Sequence, residues 1–386
     1  MLSVQTKSAE LEADLHLVKT LVPLKSMMES HLIALLQDIP VDMVFAGQVL
    51  FEEGSYDHQL IYLLHGDLEL RDNNGGVSIK KGRSSLYPIA CRQPRPCSAI
   101  ALTDCNILRL DHDKVDKMLT WSQIAEYLLV DISYQRDLDE DADWMMTVLK
   151  SNLFFKVPPI NVQQIFSLLK PVVVDAGDVI LRQGEIGGEC YFIKEGDAKV
   201  TQSSSRSSKP KIVAQISVGR CFGEDALLNE TVRNATVTMS SNGVLMRLEK
   251  SGLILLLKEP QVDTLNHHQL IEFFDRQQDE EFDNNTVCID VRTEEEYALG
   301  HIKKAVNIPL NLLCIKIRLL NKDTKYIVCC NTGRRSSAAV HLLNQQGFHT
   351  QALQEGLEGI PSDTWEKLED KDQNFMLRNG LVIKGQ

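Results

Sequence analysis

Two short stretches hold the residue types from which chemistry can be built. "VCCNTGRRSS", residues 328–337, places Cys329 and Cys330 at the end of an apolar run, with Gly333, Arg334 and Arg335 directly after them. A thiol reacts as its thiolate, and backbone N–H groups at a helix start, like nearby guanidinium groups, favour negative charge. A thiol placed here is expected to lose its proton more readily than a free one. "FGEDALLNETVRNATV", residues 222–237, suits a different ligand. Phe222 and Gly223 allow a tight turn, "EDALL" reads as one short helical turn with free N–H groups at its start, and Arg233 follows at a fixed distance. A helix start plus an arginine cradles a phosphate, while the Glu224 carboxylate can accept from ribose hydroxyls. An anionic and a hydroxyl subsite side by side point to a nucleotide.

Each stretch needs elements to position it. Residues 325–328 read as a short buried strand and "SSAAVHLL" as a helix, so the thiols fall at a strand-to-helix turn. From about Val262, the amphipathic "VDTLNHHQLIEFFDRQ" and the apolar "TVCIDVR" and "YIVCC" alternate as helix and strand, which predicts a small parallel α/β domain. The nucleotide motif belongs to an internal repeat. "AGQVLFEEGSYDHQLIYLLHGDLEL" from Ala46 and "AGDVILRQGEIGGECYFIKEGDAKV" from Ala176 match without a gap, and Gly47, Gly54 and Gly66 recur 130 positions later as Gly177, Gly184 and Gly196. Short alternating strands between glycine turns, each set preceded by an amphipathic helix ("HLIALLQDI" and "NVQQIFSLL"), predict an antiparallel β-roll flanked by helices. The copies then diverge. The second carries "QSSSRSSKPK", read as a lengthened hairpin loop. The first continues "GRSSLYPIACRQPRPCSAI", keeping Arg95 but placing Tyr87 and Pro88 near where Gly-Glu should be. "RDLDEDADW", residues 136–144, reads as a solvated acidic helix or linker between the rolls.

Composition narrows the function classes. The 386 residues suggest two or three domains, and the net charge of −12 argues against a general nucleic-acid or anionic-membrane binder. Nine cysteines without a C-x-x-C pair or zinc-type spacing read as reduced thiols, with no metal site. The acidic residues near the start do not suit a signal peptide, and no apolar run is long enough to span a membrane, so the chain is read as cytoplasmic.

Two resemblances follow from these motifs. Residues 222–237 resemble the phosphate-binding cassette of the cyclic nucleotide-binding domains, Phe-Gly-Glu-x-Ala-Leu, five residues, Arg-x-Ala-Thr-Val. The resemblance implies that Arg233 binds the cyclic phosphate, that Glu224 binds the ribose 2′-hydroxyl, and that the backbone of residues 223–227 lines the phosphate. Phe222, Gly223, Ala226, Leu227, Asn234 and Ala235 complete the implied ligand-binding set. In that family a threonine after the arginine goes with guanine and an alanine with adenine. Asn234 leaves the base open, with cyclic AMP favoured over cyclic GMP because the threonine is absent. The first roll is then a degenerate copy, expected to serve as a structural or dimerising partner, which allows a homodimer. No helix-turn-helix of the family's gene-regulator branch is found, so no nucleic-acid partner is expected.

"DVRTEEEYALGHIKKAVNIPL", residues 290–310, and "CNTGRRS", residues 330–336, resemble the first signature and the active-site loop of the rhodanese family. The loop pattern Cys-x-x-Gly-x-Arg-Ser selects Cys330 as the nucleophile and leaves Cys329 as a packed or resolving thiol. The resemblance implies that Cys330 takes a sulfane sulfur as a persulfide and passes it on, with no cofactor. Asn331, Thr332, Gly333 and Ser336 would form the persulfide loop, and Arg334 or Arg335 would attract an anionic donor such as thiosulfate. Asp290, Arg292, Glu296 and His301 read as structural. Rhodanese-like phosphatases have a loop one residue longer, and a non-catalytic docking or sulfur-carrier module is the other alternative.

The expected architecture is multidomain α+β: a degenerate antiparallel β-roll over residues 1–140, a jelly-roll-like cyclic nucleotide-binding roll over 141–261, and an α/β rhodanese domain with a parallel sheet over 262–386. The expected function is a cyclic nucleotide sensor joined to a sulfurtransferase, with nucleotide control reaching the second through the helices of residues 249–262.

Overall fold

The computed structural model describes residues 15–37, 39–82, 85–135, 144, 145, 157–203, 209–276, 286–378 and 381–385. The acidic stretch 136–143 and the inner part of the hairpin loop, 204–208, lie outside the described residues. The chain divides into two compact units: one joins Met1–Gln123 to Val262–Gln386, and the other is Ile124–Gln261.

The first roll belongs to the first of these units. Helix α1 (Glu29–Leu36) precedes strands β1 (Asp42–Val44), β2 (Val49–Phe51), β3 (Gln59–His65), β4 (Asp67–Arg71), β5 (Val77–Lys81), β6 (Ser98–Ala101) and β7 (Cys105–Asp111), and α2 (His112–Gln135) follows. The strands pair antiparallel in two sheets, ordered β1-β7-β3 and β2-β6-β4-β5. Their inward side chains, among them Phe51, Ile61, Leu68, Ala99 and Ile107, make one core.

The other unit repeats this plan. Helix α3 (Val162–Leu168) precedes β8 (Lys170–Val174), β9 (Val179–Leu181), β10 (Glu189–Glu195), β11 (Ala198–Gln202), β12 (Lys211–Ile216), β13 (Cys221–Phe222), α4 (Glu224–Leu228), β14 (Thr236–Met239), β15 (Gly243–Glu249) and α5 (Lys250–Leu257). Its antiparallel sheets run β13-β10-β15-β8 and β12-β11-β14-β9, and β11 and β12 form the expected hairpin. The sequence repeat is also a repeat of backbone conformation. Gly66 and Gly196 both take positive φ, +92° and +89°, and a Cβ there would lie 2.6 Å from the Asp104 carbonyl oxygen and 2.7 Å from that of Asn242. Only glycine fits such a turn.

The remaining residues of the first unit alternate strand and helix. They comprise β16 (Thr264–Leu265), α6 (His267–Arg276), β17 (Thr286–Asp290), α7 (Glu294–Ala298), β18 (His301–Ile302), β19 (Val306–Asn307), α8 (Leu313–Lys316), β20 (Lys325–Cys329), α9 (Arg334–Gln345), β21 (His349–Leu353), α10 (Ser362–Leu368) and β22 (Glu369–Asp370), followed by a hairpin of β23 (Phe375–Arg378) and β24 (Leu381–Lys384). The main sheet is parallel, ordered β16-β21-β20-β17-β19. The helix expected from Val262 starts at His267, because Thr264 and Leu265 pair with Ala352 and Leu353. Asn266 then caps it, accepting from the Gln269 N–H at 3.0 Å while its own N–H donates to Gln269 Oε1 at 2.9 Å. Tyr326 to Cys329 of central β20 are buried throughout, as a parallel strand covered on both faces requires. The loop after β20 therefore opens at the carboxyl end of the sheet, where open α/β folds place ligands. Among the described residues no helix is long and apolar enough to cross a membrane.

Candidate functional sites

In the second roll the sequence brings Arg233 under the turn that starts α4. Gly223 caps that helix with φ of +88°, and a Cβ on it would lie 2.9 Å from Arg233 Nη1. The guanidinium is 5% exposed and donates to the carbonyls of Gly223 and Glu189. No carboxylate among the described residues forms an ion pair with it. Gly187 gives it room, since a Cβ there would lie 2.5 Å from Arg233 Cζ. Phe222 stacks on Tyr191 with centroids 5.6 Å apart, and Ala226, Leu227 and Ala235 are buried behind the turn. Glu224 is half-buried at the first position of α4, and Asn234 is exposed, its carbonyl accepting from Gln202 Nε2 at 3.1 Å. Residues 222–227 and 233–235 thus form one cradle around a buried cation that has no counter-ion among the described residues.

The first roll shows the alternative. Arg95 donates to both Asp57 carboxylate oxygens, to the carbonyls of Ile89, Ala90 and Gln59, and lies over the Phe51 ring at 4.4 Å. Burial acts to raise the Asp57 pKa, but the Arg95 hydrogen bonds outweigh it and hold the carboxyl below its ordinary range. Here a carboxylate stands at the position that Gly187 occupies in the other roll. The gapless repeat already contains this signal, because Asp57 stands 130 positions before Gly187 and Gln59 the same distance before Glu189. The arginine leans on the same carbonyl position in both rolls, and the first copy supplies its own negative charge.

Cys330 leaves β20 and faces the start of α9. Gly333, with φ of +93°, caps the helix, and the N–H groups of Gly333 and Ser336 lie 3.2 Å and 3.4 Å from Cys330 Sγ. The thiol approaches Ser336 Oγ at 3.5 Å. Behind the loop, the backbone at Glu355 and Gly356 closes tightly: the N–H groups of Leu357 and Glu358 donate to the carbonyls of Cys330 and Asn331, and a Cβ on Gly356 would lie 2.3 Å from the Asn331 oxygen. Cys329 points into the core with Cys288 and is a packed residue.

Two expectations for this loop are corrected. Arg335 does not face an anionic donor. It is 1% exposed, donates to both Glu296 oxygens at 2.7 and 2.8 Å, and meets Asp116 of α2 at 2.8 Å through Nε. The Cys330 pKa is also shifted up rather than down. Burial pushes its pKa up, and the Asp116 carboxylate adds to that against the opposing pull of Arg335. Arg334 is the exposed cation of the pair, 3.6 Å from Asp113. Thr332 donates a short hydrogen bond to Asp116, and Asn331 bridges Arg292 and Glu296.

The residues read as structural hold the loop directly. Arg292 clamps Asp290 and donates to Asn331 Oδ1, while Glu296 completes a capping box with Thr293 and receives Asn331 Nδ2 as well as Arg335. Burial alone would raise the Glu296 pKa, but the Arg335 charge and hydrogen bonds bring it to about 2. A carboxyl lowered on folding adds stability that is full above its unfolded pKa and is lost as pH falls toward the folded value. Glu296→Gln is therefore expected to cost about 3 kcal/mol of stability at neutral pH, because a buried guanidinium loses a charged partner. Urea unfolding at pH 7 and pH 3 checks this, and the difference between native and variant should shrink at the lower pH. Asp116 had no such signal in the sequence, since it lies in a plain amphipathic helix and more than 200 residues separate it from the loop it touches.

Among the described residues no group of histidine, cysteine or acidic side chains could hold a metal ion, and all nine cysteines are free. Comparison with known proteins agrees with this division of sites. The family model described as "Cyclic nucleotide-binding domain" matches residues 44–120 and 171–259, and that described as "Rhodanese-like domain" matches residues 274–362. The chain is similar to the cAMP-dependent protein kinase regulatory subunit of Schizosaccharomyces pombe, 34% identical over 34% of this chain and 32% of that protein. It is also similar to the cGMP-dependent protein kinase egl-4 of Caenorhabditis elegans, 26% identical over 57% of this chain and 27% of that protein. The chain thus spans about a third or less of the length of these two relatives. Among solved structures, the regulatory domain of Toxoplasma gondii PKA with cAMP aligns at 18% identity and a TM-score of 0.28, covering 68% of this chain and 94% of that one. The chain carries two cyclic nucleotide-binding domains of antiparallel β-roll fold, followed by a rhodanese-like domain built on a parallel sheet.

Proposed function

We propose that the protein senses a cyclic nucleotide through its second roll and transfers sulfane sulfur through Cys330. The observation that carries the sensing half is the contrast between the two buried arginines: Arg95 is saturated by Asp57, whereas Arg233 donates to two carbonyls, has no carboxylate partner among the described residues, and is approached closely by Gly187. A cyclic phosphate supplies the missing charge, and Glu224 is placed for the ribose 2′-hydroxyl. Cyclic AMP is the preferred ligand, because residue 234 is not the threonine that goes with guanine.

For sulfur transfer, the Cys330 thiolate attacks the outer sulfur of thiosulfate. The S–S bond breaks, sulfite leaves with the electron pair, and a Cys330 persulfide remains. A nucleophilic acceptor such as cyanide or a thiolate then takes the terminal sulfur and returns the Cys330 thiolate. The N–H groups of Gly333 and Ser336 are placed to hold the negative charge throughout. Nucleotide control is part of the reading, with α5 leading within a few residues into β16; it requires that the ligand favour one of two conformations.

Calorimetric titration of the whole chain with cyclic AMP, and separately with cyclic GMP, tests the sensing half. One site per chain is expected, tighter for cyclic AMP. Two sites would show that Asp57 yields to the ligand, and no binding of either nucleotide would remove the sensor.

A further inference from the structure

The first roll spends part of its surface on the Cys330 loop. Thr332 and Arg335 both reach Asp116, and Asp116 and Arg335 are each 1% exposed. His112 Nδ1 lies 2.7 Å from Glu358, Lys25 Nζ 2.5 Å from Glu295, and Arg92 lies over the Trp365 ring at 5.2 Å. Cys330 itself is 0% exposed. Arg92 belongs to residues 82–100, the stretch that diverges from the nucleotide cassette, so the divergent segment has acquired a surface to pack on.

One opening remains beside the loop. A cavity of about 610 Å³ is bounded by Asn331 and Arg335 on one side and by Tyr87, Ile89 and Arg92 of the first roll on the other. Its walls are largely apolar, and its charged lining is mixed: Asp116, Glu296, Glu358 and Glu369 face it along with Arg292, Arg335 and Lys371, while Arg92, with Glu369 and Glu366 nearby, and Lys80 form no ion pair among the described residues. Arg92 and Lys80 are the groups in this space that a small anion could pair with.

We propose that the first roll is the second wall of the sulfur-transfer site: it closes over Cys330, leaves this chamber as the approach, and restricts the site to small anionic sulfur compounds, with Asp116 as the positioning residue that latches the wall to the loop. The identity of the substrate rests on the sulfur-transfer reading; the enclosure does not. A thiol carried on a folded protein cannot reach Cys330 while the roll is seated. Asp116, Arg335, Glu296, the Arg292–Asp290 pair, the Arg334–Asp113 pair and the His112–Glu358 pair are charged groups around the loop, and Asp116 is the buried carboxylate that comes from the other domain.

The test uses the full chain and reads Cys330 by peptide mass spectrometry. A small sulfonate-bearing methanethiosulfonate is expected to modify Cys330, and the same reactive group on a polyethylene glycol chain is expected not to. The trimethylammonium reagent should react more slowly than the sulfonate, and Arg92→Ala should narrow that difference. Asp116→Ala should raise the rate of the polymer reagent by about tenfold or more, as expected when one partner of a buried ion pair is removed. Because that variant removes a buried charge, Lys25→Glu at the half-exposed rim supplies the second test, with a smaller rise in the same rate. The proposal is overturned if the polymer reagent modifies native Cys330 as fast as it does either variant, or if the small reagents fail in all of them. Incubation with thiosulfate separates the two readings: absence of an added sulfur with this labelling pattern intact counts against sulfur transfer and leaves the enclosure standing.

Discussion

Cys330→Ser is expected to lower sulfur transfer at least about 10³-fold and to remove the persulfide, whereas Cys329→Ser is expected to keep both. The covalent route exists only through a sulfur nucleophile, and a serine hydroxyl at the same place cannot carry a sulfane sulfur. The geometry separates the two neighbours. Cys330 Sγ has the N–H groups of Gly333 and Ser336 aimed at it. Cys329 is packed with Cys288 in the core, away from those N–H groups, and the neighbouring Cys288 thiol, together with burial, pushes its pKa well up. Its replacement buries a hydroxyl and costs about 1–3 kcal/mol of stability without touching the chemistry. Mass spectrometry after incubation with thiosulfate decides the matter: an added sulfur on the Cys330→Ser protein would assign the reaction to another thiol.

The contrast between these cysteines also shows what a sequence can and cannot carry. Local chemistry was legible. The repeated glycines forced their turns, the alternation of strand and helix after Val262 gave the parallel sheet, and the spacing around Cys330 placed it at the start of α9. These features depend on residues close together in the chain. The direction of the Cys330 pKa shift was read the wrong way because it depends on groups that come from far away. A helix start and two arginines do favour a thiolate, but Glu296 and Asp116 neutralise Arg335, and burial removes water from the sulfur. No periodicity marks Asp116 as a partner of residue 335. Asp57 is the intermediate case: its consequence is spatial, yet the repeat register places it opposite Gly187, so comparison of the copies could have found it.

Arg233→Ala is expected to weaken cyclic nucleotide binding by a hundredfold or more while leaving the second roll folded. The guanidinium is the buried positive group at the head of α4, and a phosphate bound there would lose charge-assisted hydrogen bonds worth about 1.5–3 kcal/mol each. Two such bonds correspond to about a hundredfold or more in Kd. The fold should survive, because the side chain holds only the carbonyls of Gly223 and Glu189, while the core rests on Leu181, Ile193, Phe222, Val237 and Leu245. Arg233→Lys should fall between the two, keeping the charge but losing the planar fork that reaches both carbonyls and an anion at once. Calorimetric titration of both variants beside the native chain provides the measurement. Native affinity in Arg233→Ala would place the nucleotide elsewhere in the molecule, and the arginine of the first roll in an equivalent setting, Arg95, already has Asp57 as its anion. Loss of binding with an unchanged melting temperature would instead fix the second roll as the sensor, with the first roll free to serve the loop around Cys330.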